Sequence, residues 1–252
     1  MNEWIDDFKT AVTFLTRLPM PHPDGAKPQN FVRASRMFPV VGALIGAAVG
    51  LFCLSLRSIG VPDLAASALA LGGSALLTGA LHEDGLADVA DGFGGGRDRE
   101  SKLEIMRDSR IGTYGAMILL VSFAAKLSAL AAIPDGYIVP SLIAAHALAR
   151  GVLPVMSTRL PYARKDGLAR NAGQPDGATA AIAFGLALLI ALVSLSWASA
   201  LYAVLAACAS AFAMAWLALR QIGGQTGDVL GAAEQVAETA ILVLLAARLA
   251  QP

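Results

Sequence analysis

Charged side chains are scarce in this chain. They fill 15% of its 252 positions against 56% that are hydrophobic, and the mean hydropathy is +0.61. Soluble domains carry about 25% charged residues, so a water-soluble globule is excluded, and the apolar excess equally excludes a disordered chain. Net charge is missing too: 19 Lys and Arg face 19 Asp and Glu. With no long basic stripe, nucleic-acid wrapping has no support. There are only two cysteines, Cys53 and Cys208. Both lie in apolar runs without metal-type spacing, which excludes a disulfide framework and makes them core or lipid-facing residues. The first 37 residues are polar and broken by Pro19, Pro21, Pro23 and Pro28. They lack a basic segment followed by an apolar one, so no cleaved signal peptide is expected.

What the chain does have is long apolar runs, near Phe38 to Leu56, Leu64 to Leu81, Tyr114 to Ile133, Ile138 to Met156, Ala178 to Trp197, Ala200 to Leu219 and Thr239 to Leu249. The expected fold is an all-α, polytopic integral membrane helix bundle of about seven transmembrane helices, forming a single membrane domain over 1–252. The last run is short and the fifth and sixth nearly touch, so six or eight helices also fit. Of the 19 basic residues, 15 fall on one side of this arrangement. They are Lys9, Arg17, Lys27, Arg33 and Arg36 in 1–37, five in 82–112, Arg159, Arg164, Lys165 and Arg170 in 157–177, and Arg220. The positive-inside rule then sets the N-terminus and the loops 82–112, 157–177 and 220–238 in the cytoplasm. Before the first span, Trp4, Phe8, Ala11, Leu15 and Leu18 recur at helical spacing. That pattern fits either an interfacial amphipathic helix or a cytosolic helix packed on the loops, ended by Pro19.

Residues 82–112 hold eight acidic and five basic side chains. Asp84, Asp88 and Asp91 are spaced i, i+4, i+7, so if the second span continues as a helix past Leu81 all three carboxylates share one face. Like charges so placed repel, and a divalent cation would hold them together. Carboxylates without thiols favour a hard ion, Mg2+ rather than zinc. The run Gly92 to Gly96 is expected to end the helix and to let backbone amides, those of Gly94 and Gly95 among them, approach an anion. A second segment, from about Asp98 to Asp108, sets Glu104 and Asp108 one turn apart with Lys102, Arg107 and Arg110 nearby. Acid for metal and base for phosphate thus sit in one loop. His82 reads as an interfacial side chain.

A second polar cluster, Gly223 to Asp228, precedes Glu234 and Glu238 at i, i+4 on a final helix. Asp228 fits a further ligand, a group that orients a substrate hydroxyl, or a simple helix cap. Within the spans, His146 and Arg150 are one turn apart and Lys126 lies mid-span, marking either function or a structural ion pair.

The strings HEDGLADVADGFGGG (82–96), LEIMRDSRIGTYG (103–115) and GGQTGDVLGA (223–232) resemble the cobalamin (5'-phosphate) synthase family. So do FLTRLP at Phe14 to Pro19, Phe38-Pro39 and YARKDGL at Tyr162 to Leu168, which extends the likeness over nearly the whole chain. The resemblance implies a magnesium-dependent transferase of the bacterial cytoplasmic (inner) membrane with its active site facing the cytoplasm. It would join α-ribazole, or its 5'-phosphate, to adenosylcobinamide-GDP, giving adenosylcobalamin or its 5'-phosphate and GMP in late coenzyme B12 assembly. On that chemistry Asp84, Asp88, Asp91 and Asp108 would hold one or two Mg2+, Arg107, Arg110 and Lys102 would hold phosphate oxygens, and Glu104 or Asp228 would accept the hydroxyl proton. A homo-oligomer, and transient contact with other corrinoid-assembly enzymes, are compatible with it.

Two other functions compete. A CDP-alcohol phosphotransferase needs Asp-Gly-x2-Ala-Arg and a following Gly-x3-Asp-x3-Asp, but Asp88 and Val89 stand where the Ala and Arg would fall and no such repeat follows. A divalent-cation transporter would want its strongest acids near the bilayer midplane, not in a cytoplasmic loop.

Overall fold

The computed structural model describes residues 3–20, 28–164 and 173–249, with 28–30 described by their backbone. Lys27, Lys165 and Arg170, which enter the charge asymmetry, and most of the Tyr162 to Leu168 stretch lie outside the described residues. Every described element is helical: α1 (Glu3–Leu15), α2 (Pro28–Ala34), a 3-10 turn (Ser35–Met37), α3 (Phe38–Ser58), α4 (Asp63–Thr78), α5 (Leu81–Gly95) and α6 (Arg99–Ile105) come first. Then follow α7 (Thr113–Ala132), α8 (Asp135–Arg159), α9 (Gly177–Ser194), α10 (Trp197–Ile222) and α11 (Gly227–Leu249). Six helices are long and apolar enough to cross a membrane, or seven if α4 and α5 count as one span broken by a 92° bend.

Helix α8 is the hub. Its middle is built from small residues, with Ala144, Ala145, Ala147 and Ala149 fully buried. Gly42, Gly46 and Gly50 of α3 lie against its backbone at His146, Leu142 and Val139 so closely that a Cβ on any of them would collide. This is how membrane helices pack when lipid offers no hydrophobic drive of its own. At the N-terminus, α1 buries Ala11, Val12 and Leu15 and is tied down by Asp7, whose carboxylate lies 3.0 Å from Arg33 Nε and 2.7 Å from Arg36 Nη2. The helix thus packs on protein, while Trp4, Ile5 and Phe14 keep apolar surface exposed.

Three expectations need correction. The second span does not run on past Leu81, because Gly79 and Ala80 both adopt the left-handed conformation (φ 67° and 54°) and turn the chain sharply into α5. A left-handed alanine is costly. Secondly, 82–112 is not a loop but two helices, α5 and α6, joined by short linkers. Thirdly, the last span is not a short Thr239 to Leu249 run: α11 has 23 residues and absorbs most of 220–238, leaving only 223–226 as linker. Its acids Glu234 and Glu238 lie inside the bundle because cations from other helices meet them there.

Candidate active site

Helix α5 carries the acid register, and its position is fixed by close contact with α11. Gly85 abuts the backbone of Asp228, and Gly231 lies over the backbone of His82. Side chains at either place would hold the helices apart, so the two glycines bring Asp228 beside Asp84 and Asp88. The fresh start of α5 preserves the shared face expected for its carboxylates, although the span before it is broken. Asp84 is exposed and Asp88 half-buried. By length and composition α5 is not among the six helices that could cross a membrane on their own. Burial there, then the neighbouring charges of Asp84, Asp228 and Asp91, push the Asp88 carboxyl up to about 7, opposed by Arg164.

Asp91 has a different task. Its Oδ2 accepts the Gly112 amide at 2.7 Å and its Oδ1 the Gly115 amide at 2.8 Å. The carboxylate therefore caps the N-terminus of α7 from a neighbouring helix, with the dipole in its favour. No local pattern signals this; the cue was the pair of glycines in Gly112-Thr113-Tyr114-Gly115, since a Cβ on either would strike Asp91.

Asp108 does not join the acid face. It is bound by Arg110, whose Nη2 donates at 2.6 Å and whose Nε donates at 3.0 Å, and these bonds hold its carboxyl down to about 2. Arg110 is thereby occupied as well. Lys102 donates to the side chain of Gln221 instead of facing the acids. Glu104 and Arg107 are exposed on and just after α6. The glycine run also reads differently in three dimensions. Helix α5 continues through Gly94 and Gly95, and Gly96 donates to the Gly92 carbonyl at 3.0 Å, so these amides do not form an anion cradle. Gly94 is small because the ring of Tyr114 lies on it, and Gly92 and Gly96 because α6 does.

The residue that sequence reasoning left out of the site is Arg164. It follows a stitched pair of linkers: the Gln225 amide donates to Pro161 O at 2.8 Å and the Ala163 amide to Gln225 O at 2.9 Å. The Gln225 side chain donates to Ser157 O and Leu160 O, both at 2.9 Å. Arg99 closes the knot through the carbonyls of Ile222 and Ala163 at 2.7 Å. Arg164 emerges with Nη1 3.5 Å from Asp228 Oδ2. Its sequence signals are membership of the YARKDGL string and a place among the basic residues on the side of the acidic segment.

These groups border one cavity of about 340 Å3. Asp84, Asp228, His82, Arg164 and Gln225 line one part, and Phe14, Phe31, Phe38, Leu81, Leu153 and Pro154 the other. Two acids, a cation and a nearby third acid at the mouth of an apolar pocket form an arrangement that can hold a phosphate-bearing organic substrate beside a hard cation.

Behind the cavity lies a second charged cluster. Arg150 Nη1 is 2.5 Å from Glu234 Oε1, and His146 Nδ1 is 3.0 Å from Glu238 Oε2. Lys126 donates to Gln235 at 2.7 Å and to Glu238 at 3.3 Å, while His82 Nδ1 lies 3.2 Å from Glu234. Of the two readings open for Lys126, His146 and Arg150, the structural ion pair is the one observed. Among the described residues, the set whose ligand atoms approach within 4.8 Å of one another is His146, Glu234 and Glu238, not the aspartate face. Yet Arg150 and Lys126 already balance both carboxylates there, whereas among the described residues Arg164 is the cation that faces Asp88 and Asp228. Among these residues the charge left uncompensated is on the aspartate face, and wide spacing suits an ion that keeps its waters and shares phosphate oxygens.

Comparison with known proteins adds an independent line. The sequence model of the family described as Cobalamin-5-phosphate synthase matches residues 7–246. The chain is 47% identical over 244 residues to an adenosylcobinamide-GDP ribazoletransferase of Bradyrhizobium diazoefficiens, covering 96% of this chain and 94% of that one. It is 42% identical to the protein of the same name from Sinorhizobium medicae, with 98% of each chain covered. A third such relative, from Rhizobium etli, is 43% identical over 99% of both. No solved structure matches the chain.

Proposed function

We infer the reaction from one premise: this chain belongs to the cobalamin-5-phosphate synthase family. It is an adenosylcobinamide-GDP ribazoletransferase, the enzyme that assembles the nucleotide loop of coenzyme B12, and membership in the family decides against the phosphotransferase and transporter alternatives. The ribose 3'-hydroxyl of α-ribazole, or of its 5'-phosphate, forms a new P–O bond to the cobinamide-side phosphorus. The bond from that phosphorus to the bridging oxygen breaks, and GMP leaves with the electron pair.

The observation that carries the assignment of roles is that Asp84, Asp228 and Arg164 line one cavity, with Asp88 on the same helix face as Asp84. Asp84 and Asp88 are the residues that would hold Mg2+, with Asp91 behind them as a structural support. Bound there, the ion would neutralise pyrophosphate charge in attack and departure. Arg164 orients phosphate oxygens with its planar fork. Asp228 takes the hydroxyl proton; unlike Glu104, the other candidate, it lines the cavity. The site faces the cytoplasm of a bacterial inner membrane, as the basic residues of 1–37, 82–112 and 157–177 and Arg220 favour. A cytosolic supplier of the GDP-activated corrinoid is then the expected transient partner.

The test is GMP release by the purified protein in lipid nanodiscs, given adenosylcobinamide-GDP. Release is expected only when both α-ribazole and Mg2+ are present, and EDTA should stop it. Release without α-ribazole, or undiminished in EDTA, would overturn the assignment.

A further inference from the structure

The apolar part of the cavity has no role in the chemistry just described, yet it is the more distinctive half. Three phenylalanines from three elements meet there. Phe14 of α1 lies edge-on to Phe31 of α2 with ring centroids 4.6 Å apart, and parallel to Phe38 of α3 at 5.7 Å with the planes 14° apart. Phe14 keeps 37% of its surface exposed, although it sits in a chain region that buries Ala11 and Leu15 completely. Val32, Leu81, Leu153 and Pro154 continue the wall, and Asp84 and Asp228 stand at its other end.

We propose that this aromatic cradle is the subsite for the planar base of the acceptor, the benzimidazole of α-ribazole, and that it sets the acceptor's ribose toward Asp228. The proposal rests on the transferase reading above and adds to it which substrate occupies which half of the cavity. Size and polarity select the occupant. At about 340 Å3 the space lies at the small end of ligand pockets, roughly 300–1,000 Å3, which suits a nucleoside better than the corrin macrocycle of the donor. Guanine, the other flat ring in the reaction, carries ring and amino N–H donors and a carbonyl that would be buried unpaired against phenylalanine and leucine. A methylated benzimidazole has no N–H on its ring once it is attached to ribose. Offset and edge-on contacts with Phe14 and Phe31 are available to it, and aromatic stacking of this kind is worth a tenfold or greater change in affinity. One polar atom nearby is also unspent: Gln225 is 1% exposed, and its Oε1 has no hydrogen-bond partner. Lining the same cavity, it is suited to accept from a ribose hydroxyl.

Wild-type protein in nanodiscs decides the matter without any folding risk. Free 5,6-dimethylbenzimidazole should inhibit GMP release competitively against α-ribazole and not against adenosylcobinamide-GDP. In Phe14→Leu and Phe31→Leu, KM for α-ribazole should rise about tenfold while KM for adenosylcobinamide-GDP moves less than twofold. Competition with the donor, or a rise in the donor's KM instead, would assign the cradle to guanine and overturn the proposal. The absence of any inhibition and of any KM change would make the trio a packing or lipid-facing surface, which overturns it too. If the wild type releases no GMP at all, the transferase reading fails separately. Calorimetric binding of dimethylbenzimidazole to wild type and Phe14→Leu then still judges the cradle: equal or no binding to both sinks it.

Discussion

Gly85 on α5 lies so close to Asp228 on α11 that a Cβ added to the glycine would sit 2.8 Å from the Asp228 carbonyl oxygen. The obstacle is backbone, which cannot swing aside as a side chain would. The distance between the aspartates proposed to hold the metal and the proposed base is therefore set by one missing methyl group. Gly85→Ala should push the helices apart and lower turnover about 100-fold, the cost of misplacing reacting groups by an ångström. Gly72→Ala, where nothing lies within 4 Å, should leave GMP release unchanged. Wild-type turnover in Gly85→Ala would show that the contact does not position the site.

The acid residues divide by partner, and so should their variants. Asp84→Asn and Asp88→Asn are expected to lose about 100- to 1,000-fold in turnover while the protein still inserts and folds. Asp108→Asn, which only releases Arg110, should cost less than about fivefold. Asp91→Asn should show a different signature, a lower thermal midpoint from the weakened cap on α7. Near-normal activity in both Asp84→Asn and Asp88→Asn would remove the metal role.

If Asp88 holds Mg2+ as proposed, the ion competes there with a proton. Its carboxyl in the folded protein is pushed up to about 7 from an ordinary value of 3.8, by burial first and then by Asp84, Asp228 and Asp91. A raised carboxyl favours the protonated folded state, so the metal-free protein should lose stability as pH rises from about 4 to about 7. Added Mg2+ should cancel that loss by taking the proton's place. At limiting Mg2+, GMP release should climb with pH around a midpoint near 7, and excess Mg2+ should move the midpoint lower. A profile at limiting Mg2+ that is flat from pH 6 to 8 would contradict this.

The buried pairs should show the asymmetry of ions in a low-dielectric interior. Arg150→Met leaves Glu234, fully buried, to His82 as its remaining ion-pair partner and should cost about 3–5 kcal/mol, read as a fall in the thermal midpoint of the solubilised protein. Adding Glu234→Gln should restore part of the loss, since the pair as a whole contributes less than either partner's removal costs. A double variant less stable than Arg150→Met by the full cost of a second independent lesion would mean that the two residues are not coupled.

Much of this was legible in the residues. Apolar runs of span length fixed a membrane bundle of helices, because lipid leaves backbone groups no partner but the helix itself. The Asp84-Asp88-Asp91 register followed from a period of 3.6 residues, and it survived an unforeseen break at Gly79 and Ala80 because a register belongs to a single helix. What tertiary structure alone decided was which partner each polar group takes. Asp91 went to the amides of α7, Asp108 to Arg110, and Arg164 came to Asp228 from a linker that periodicity cannot place. Lys126 meets Gln235 across 109 residues of sequence, and Arg99 meets Ile222 across 123. Periodicity reports on one helix at a time, whereas a carboxylate's role depends on which charge or amide reaches it first through space. The sequence therefore determined that an acid face exists at the edge of a membrane bundle. The packing of glycine-faced helices determined that one of its three carboxylates, Asp84, lines a cavity beside Asp228 of α11.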